Sequence, residues 1–201
     1  MTISNRGTPS ILPTTTPADW PALVPASEGW MTNIEVACVA FACVATRHAG
    51  VGGGVLEIGC FLGRTTSALA LVADMVDVVD TFVGEESLET PAPDFYGQFA
   101  VNMDARMARV RTHRGLSRDV LPGLTGPWRV ALIDGDHSEE AAFGDIAAVW
   151  PNVSVGGYMF IDDVNWDSVA KAVDRWAGTI AGGTAIYAAI SGKLGVMRKL
   201  A

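Results

Sequence analysis

The stretch Val130-Ala131-Leu132-Ile133-Asp134-Gly135-Asp136-His137 runs four apolar residues straight into an acidic turn that ends in histidine. A short apolar run closed by a turn reads as a strand buried on both faces. Such a strand needs a parallel sheet with helices above and below it. A second stretch, Phe160-Ile161-Asp162-Asp163, repeats the apolar-then-acidic pattern. In open α/β sheets, ligands bind in the crevice at the carboxyl ends of the strands. The two acidic tips are therefore the first candidate functional residues.

The rest of the chain supports an alternating architecture. Residues 31–49 read as a helix, with Thr32 or Asn33 able to cap it and Glu35 in its first turn. Val55-Leu56-Glu57-Ile58 is a first strand, a glycine turn follows, and residues 64–73 form a helix. Residues 75–79 make a second strand ending at Asp80, which completes a β-α-β unit with parallel strands and a right-handed crossover. Further strands are expected at 109–113, 129–133 and 158–161, with helices at 98–108, 117–121, 139–150 and 167–181. Ser138 caps the third of these helices, and Gly156-Gly157 turns into the fifth strand. Strands at 184–190 and 194–198 flank Ser191-Gly192-Lys193, and the Ser-Gly connection reads as an antiparallel hairpin. The expected fold is α/β: a doubly wound, mostly parallel seven-stranded sheet with an antiparallel terminal hairpin.

The glycine turn narrows the ligand. Glu57-Ile58-Gly59-Cys60-Phe61-Leu62-Gly63-Arg64-Thr65 follows a strand and opens a helix, the context a nucleotide-type site requires. A dinucleotide fingerprint needs glycine where Phe61 and Arg64 stand, so close approach of a pyrophosphate is obstructed and the turn is a poor match to NAD or FAD. The pattern Glu-x-Gly-x-x-x-Gly-x-Thr instead resembles the first motif of class I S-adenosylmethionine-dependent methyltransferases. The resemblance implies a Rossmann-like methyltransferase fold, with Glu57, Gly59, Gly63 and Thr65 at the cofactor. Asp80, at the second strand end, can hydrogen-bond ribose hydroxyls. Asp77 is its rival but sits inside the strand pattern. Ser117, in Gly115-Leu116-Ser117, falls where this family commonly contacts the adenine, although a helix cap explains it equally well.

Adjacent parallel strands lie about 4.8 Å apart, so Asp134, Asp162 and Asp163 converge. Like charges at such range raise one another's pKa, and a divalent cation relieves the conflict. All-oxygen ligation suits Mg²⁺. The sequence from Ile133 to Glu139, followed by Gly156 to Asp163, is similar to the metal-dependent small-molecule O-methyltransferases. These include the catechol and caffeoyl-CoA types and the bacterial sugar and macrolide-sugar enzymes. The resemblance covers about residues 50–200. It implies Asp134, Asp162 and Asp163 as metal ligands, with Asp134 shared between metal and cofactor. The Asp-Asp pair, where plant and animal members have Asp-Asn, points to the bacterial sugar-modifying branch.

Methyl transfer to oxygen also needs a base. His137 is the first choice, because imidazole has an ordinary pKa of about 6.5. Asp136 is the rival, since some bacterial relatives use the Asp at that offset. His113 and His48 are expected to be structural. The expected activity is transfer of a methyl group from S-adenosylmethionine to a hydroxyl of a small metabolite, such as a sugar, polyketide or phenolic. A metal-independent small-molecule methyltransferase and a non-catalytic cofactor-binding or assembly protein are the alternatives.

Charge and composition remove other classes. The net charge of −8 argues against phosphate-backbone binding, and no Asn/Asp-Pro-Pro-aromatic sequence is present for a flipped base. The apolar run at 36–45 is too short to span a bilayer. Cys38, Cys43 and Cys60 have no metal spacing and read as ordinary thiols of a reducing compartment. With no signal-peptide pattern at the N-terminus, a cytoplasmic protein is expected. Residues 1–30 form a separate arm, with Pro9, Pro13, Pro17, Pro21 and Pro25 barring a regular helix. The domain proper spans 31–201, and a homodimer is compatible with such an arm.

Overall fold

The computed structural model describes residues 28–84, 93–180 and 185–200. Seven strands form one sheet: β1 (Gly54–Ile58), β2 (Val76–Asp80), β3 (Val110–Arg114), β4 (Trp128–Ile133), β5 (Val153–Ile161), β6 (Ala185–Ile190) and β7 (Leu194–Lys199). Their order is β3-β2-β1-β4-β5-β7-β6. The first five are parallel, and β7 runs antiparallel to both β5 and β6. The doubly wound sheet with an antiparallel end is the expected one. The chain reverses direction across the sheet between β1 and β4, the switch point where a ligand crevice opens.

Strand alternation sends side chains to two separate cores. Val55, Val130, Leu132 and Phe160 join Val36, Val39, Leu69, Phe99 and Met103 on one face. That face is covered by α1 (Asn33–His48), α2 (Arg64–Val72) and α3 (Tyr96–Met103). Leu56, Ile58, Ala131, Ile133, Met159 and Ile161 join Ile146, Val149, Val169 and Trp176 on the other. There the cover is α5 (Glu139–Val149) and α6 (Asp167–Ala177). The short α4 (Ser117–Val120) lies between β3 and β4.

Local signals account for most helix starts. Thr32 caps α1 in a capping box with Glu35, which settles the choice between Thr32 and Asn33. Ser138 caps α5. Three elements depart from expectation. The helix expected at 98–108 is α3 followed by a 3-10 stretch over Asp104–Arg109, with Asp104 at φ 36. The fifth strand begins five residues earlier than 158, at Val153, and carries Gly156-Gly157 inside it. Gly156 has φ +85, and the pairing with β4 shifts register there. A bulge, not a turn, is what this glycine pair serves. The last connection is three residues long, with Ile190 pairing Leu194 and Ser191 and Gly192 both at positive φ.

Candidate active site

Strand parity places the acids. Residues 55, 130, 132 and 160 face the α1–α3 layer. By alternation Glu57, Asp80, Asp134 and Asp162 emerge on that same face at the carboxyl ends of β1, β2, β4 and β5. The ladder holds them in line: Asp134 N–H donates to Ile58 O at 2.8 Å, Asp162 N–H to Ile133 O at 2.9 Å, and Gly59 N–H to Val79 O at 2.9 Å. Asp163 would point the other way in a continuing strand. Its φ of +52 breaks the alternation and returns its carboxylate to the cluster; aspartate tolerates this left-handed backbone better than most residues.

Asp134, His137 and Asp163 each offer a donor atom, and these atoms lie within 4.8 Å of one another. That is about the diameter of the first coordination sphere of a divalent cation with oxygen ligands. His137 Nε2 is 3.0 Å from Asp163 Oδ2, yet it is not aligned as a hydrogen bond and counts as a buried unpartnered nitrogen. The Trp166 indole stacks on the His137 ring at 4.8 Å. Burial and the charges of Asp162 and Asp163 hold the Asp134 pKa well above the carboxylate range.

Asp162 is buried and does not join that triad. Its Oδ2 accepts a hydrogen bond from Lys193 Nζ at 2.7 Å, while its Oδ1 is buried without a partner. Lys193 also donates to Asp163 Oδ1 at 3.1 Å. The donor set fits a hard cation: it is oxygen-rich, and a buried carboxylate oxygen is left for a ligand to satisfy. Lys193 escaped the sequence reading. Ile161 pairs with Gly195 across the antiparallel ladder, so continuing the register sets Lys193 opposite Asp163. Only the pairing of β5 with β7 carries that signal.

The glycine turn meets the acids from the side. A Cβ on Gly59 would stand 1.8 Å from the Asp134 carbonyl oxygen, and Gly59 has φ +79. No side chain fits there, and the turn is pressed against the end of β4. Asp80 Oδ2 accepts from Cys60 N–H at 2.7 Å and Phe61 N–H at 3.1 Å, and Oδ1 from Phe82 N–H at 2.6 Å. Asp80 thus shapes the turn. Asp77 is engaged elsewhere, with Arg111 at 2.7 Å and His113 at 2.9 Å, a structural trio that leaves Asp80 as the acid at the strand end. Thr65 turns its hydroxyl to Met31 Sδ at 3.3 Å, and Arg64 donates to Met31 O at 3.0 Å. Ser117 lies beside Asp145, whose carboxyl burial pushes up to about 6. Glu57 is buried with Oε2 unpartnered; burial, with the charge of Asp80, pushes its carboxyl up to about 8.

Asp136 and His137 now separate. Asp136 is exposed and accepts from Ser138 N–H at 2.7 Å, and this hydrogen bond holds its pKa below the ordinary range. His137 instead faces Asp163. A concavity of about 540 Å³ lies elsewhere, beside Leu121, Pro122 and Asp145, and contains none of the acidic strand ends.

Known proteins can be set beside this geometry. A family model described as a methyltransferase domain matches residues 56–164, which run from β1 to just past Asp163. The chain belongs to this methyltransferase family. A curated relative from Streptomyces olivaceus, 8-demethyl-8-(2,3-dimethoxy-alpha-L-rhamnosyl)-tetracenomycin-C 4'-O-methyltransferase, is 28% identical over 202 residues, covering 86% of this chain and 75% of its own. Among solved structures, the O-methyltransferase NovP superposes with a TM-score of 0.67 at 19% identity, over 86% of this chain and 84% of that one. TomG from Streptomyces achromogenes, in complex with S-adenosylmethionine, gives 0.61 at 15% identity, over 93% and 92%. The methyltransferase shares the fold of these O-methyltransferases. None of its described helices is long and apolar enough to cross a membrane.

Proposed function

We propose that this methyltransferase acts on a hydroxyl of a small metabolite, a sugar, polyketide or phenolic, with a divalent cation activating that hydroxyl. The observation that carries the reading is the convergence of Asp134, His137 and Asp163 beside the glycine turn. The curated relative, whose name specifies a 4'-O-methyl transfer on a rhamnosyl tetracenomycin, supports a glycosylated or polyketide acceptor. When bound, S-adenosylmethionine supplies the methyl group and the cation lowers the pKa of the hydroxyl it holds.

The chain supplies the remainder. Gly59 leaves room at the turn and Asp80 holds its shape; these two, with Glu57, Gly63, Thr65, Ser117 and Asp134, would hold the cofactor. The acidic character of the strand end at Asp80 suits a cofactor carrying both a sulfonium and an ammonium. Asp134 and Asp163, with the unpartnered Oδ1 of Asp162, would hold the cation. His137 would take the hydroxyl proton, leaving the acceptor oxygen free for the methyl group that the bound cofactor would supply. Trp166, stacked on His137 and half exposed, keeps the ring facing the acids. Residues 1–30 form the arm and 31–201 the catalytic domain; residues 1–27 lie outside the described set.

Calorimetric titration with S-adenosylhomocysteine, with and without Mg²⁺, tests the reading, followed by a screen of hydroxylated acceptors. Cofactor-product binding is expected, with turnover abolished by chelation and restored by Mg²⁺. Turnover that survives chelation instead favours the metal-independent alternative, which the neutralisation of Asp162 and Asp163 by Lys193 supports. Absence of any binding of the cofactor product overturns the proposal.

A further inference from the structure

Asp162 and Asp163 divide their oxygens in the same way. Each gives one oxygen to the Lys193 ammonium, Asp162 Oδ2 at 2.7 Å and Asp163 Oδ1 at 3.1 Å. The second oxygens stay off the lysine. Asp162 Oδ1 is buried with no partner, and Asp163 Oδ2 lies toward His137 at 3.0 Å. The lysine is itself held in place. Its carbonyl accepts from Val164 N–H at 2.9 Å, which ties the last hairpin to the loop after β5. The positive φ of Ser191 and Gly192 fixes the turn that delivers it, and its side chain is only 20% exposed.

We infer that Lys193 is a positioning residue for the divalent cation: it clamps one oxygen of each of the two adjacent aspartates and thereby presents the other oxygen of each to the ion. The inference rests on the metal-dependent reading above. It accounts for the orphaned Asp162 Oδ1, which an ammonium already placed on Oδ2 leaves unsatisfied. It also balances charge, since three carboxylates, one divalent ion and one ammonium sum to zero. The opposite role, a tethered cation occupying the ion's own place, makes the opposite prediction. A clamp helps the metal bind; a competitor hinders it.

Titration with Mn²⁺, followed by electron paramagnetic resonance of the free ion, separates the two without cofactor or acceptor. The full chain is compared with Lys193→Met and Lys193→Arg. Partners that orient metal ligands typically contribute 10–100-fold in affinity. Binding is expected to weaken by about that factor in Lys193→Met and to recover in part in Lys193→Arg, which restores the charge. Thermal melts without metal report folding; if Lys193→Met does not fold, Lys193→Gln, which keeps a donor, takes its place. Equal or tighter Mn²⁺ binding in the neutral variant overturns the clamp while leaving the metal-dependent reading intact. A wild-type chain that binds no Mn²⁺ overturns both.

Discussion

At the scale of single residues, the chemistry depends on how neighbours in sequence are set apart in space. Asp136 and His137 are adjacent, yet one is spent on the backbone of Ser138 and the other stands against Asp163. A carboxylate held below its ordinary pKa by hydrogen bonds is a weak base, which favours His137 in the proposed role of base. The expected result is that His137→Ala lowers kcat by 10²-fold or more and retains Mn²⁺ binding, whereas Asp136→Ala lowers kcat by less than about tenfold. Steady-state kinetics beside a metal titration check this. Loss of Mn²⁺ binding in His137→Ala would instead make the imidazole a ligand, an arrangement the 4.8 Å grouping with Asp134 and Asp163 accommodates.

At the scale of elements, the N-terminal helix and the last hairpin are linked above the acidic strand ends. Glu35 closes the α1 capping box by accepting from Thr32 N–H at 2.7 Å, and its other oxygen accepts from the Ser191 hydroxyl. Burial alone would raise the Glu35 pKa, but the hydrogen bonds of Ser191 and Thr32, with the nearby Lys193, bring it below the ordinary range. One buried carboxylate thus serves both a helix start and the turn that carries Lys193. Glu35→Ala removes both bonds and should cost about 2 kcal/mol. Urea unfolding is the measurement. The variant should also lose Mn²⁺ affinity, because the hairpin turn is released; a stability loss below about 0.5 kcal/mol would show the link to be incidental.

At the scale of the whole molecule, the face that gathers Glu57, Asp80, Asp134 and Asp162 stores electrostatic cost. Glu57 lies under the turn with its carboxyl pushed up to about 8 by burial first, then by Asp80. A carboxyl whose folded pKa exceeds its unfolded value binds its proton more tightly in the native state, so stability falls as pH rises between the two values. Glu57→Gln, which stays neutral, should therefore gain on the wild type by on the order of 3 kcal/mol between pH 5 and pH 7.5. Parallel denaturation curves across that range test it, and equal pH slopes for the two proteins would refute it. Much of the fold was legible beforehand, because apolar runs ending in acids or glycines mark buried parallel strands and their crevice, and Thr32, Ser138 and Ser191-Gly192 are local signals that act within a few residues of chain. The acidic tips at Asp134 and at Asp162-Asp163 were legible for the same reason: strand ends are set by the pattern around them. What lay beyond the sequence depended on pairing between distant segments. The antiparallel register of β7 on β5 sets Lys193 opposite Asp163, the left-handed backbone of Asp163 returns its carboxylate to the cluster, and the approach of Gly59 to the Asp134 carbonyl presses the turn against β4. Sequence spacing determined which residues stand at the strand ends; only tertiary packing decided which of their oxygens are taken and which are left for a ligand, because that depends on partners distant in the chain, Lys193 being 31 residues from Asp162 and 30 from Asp163.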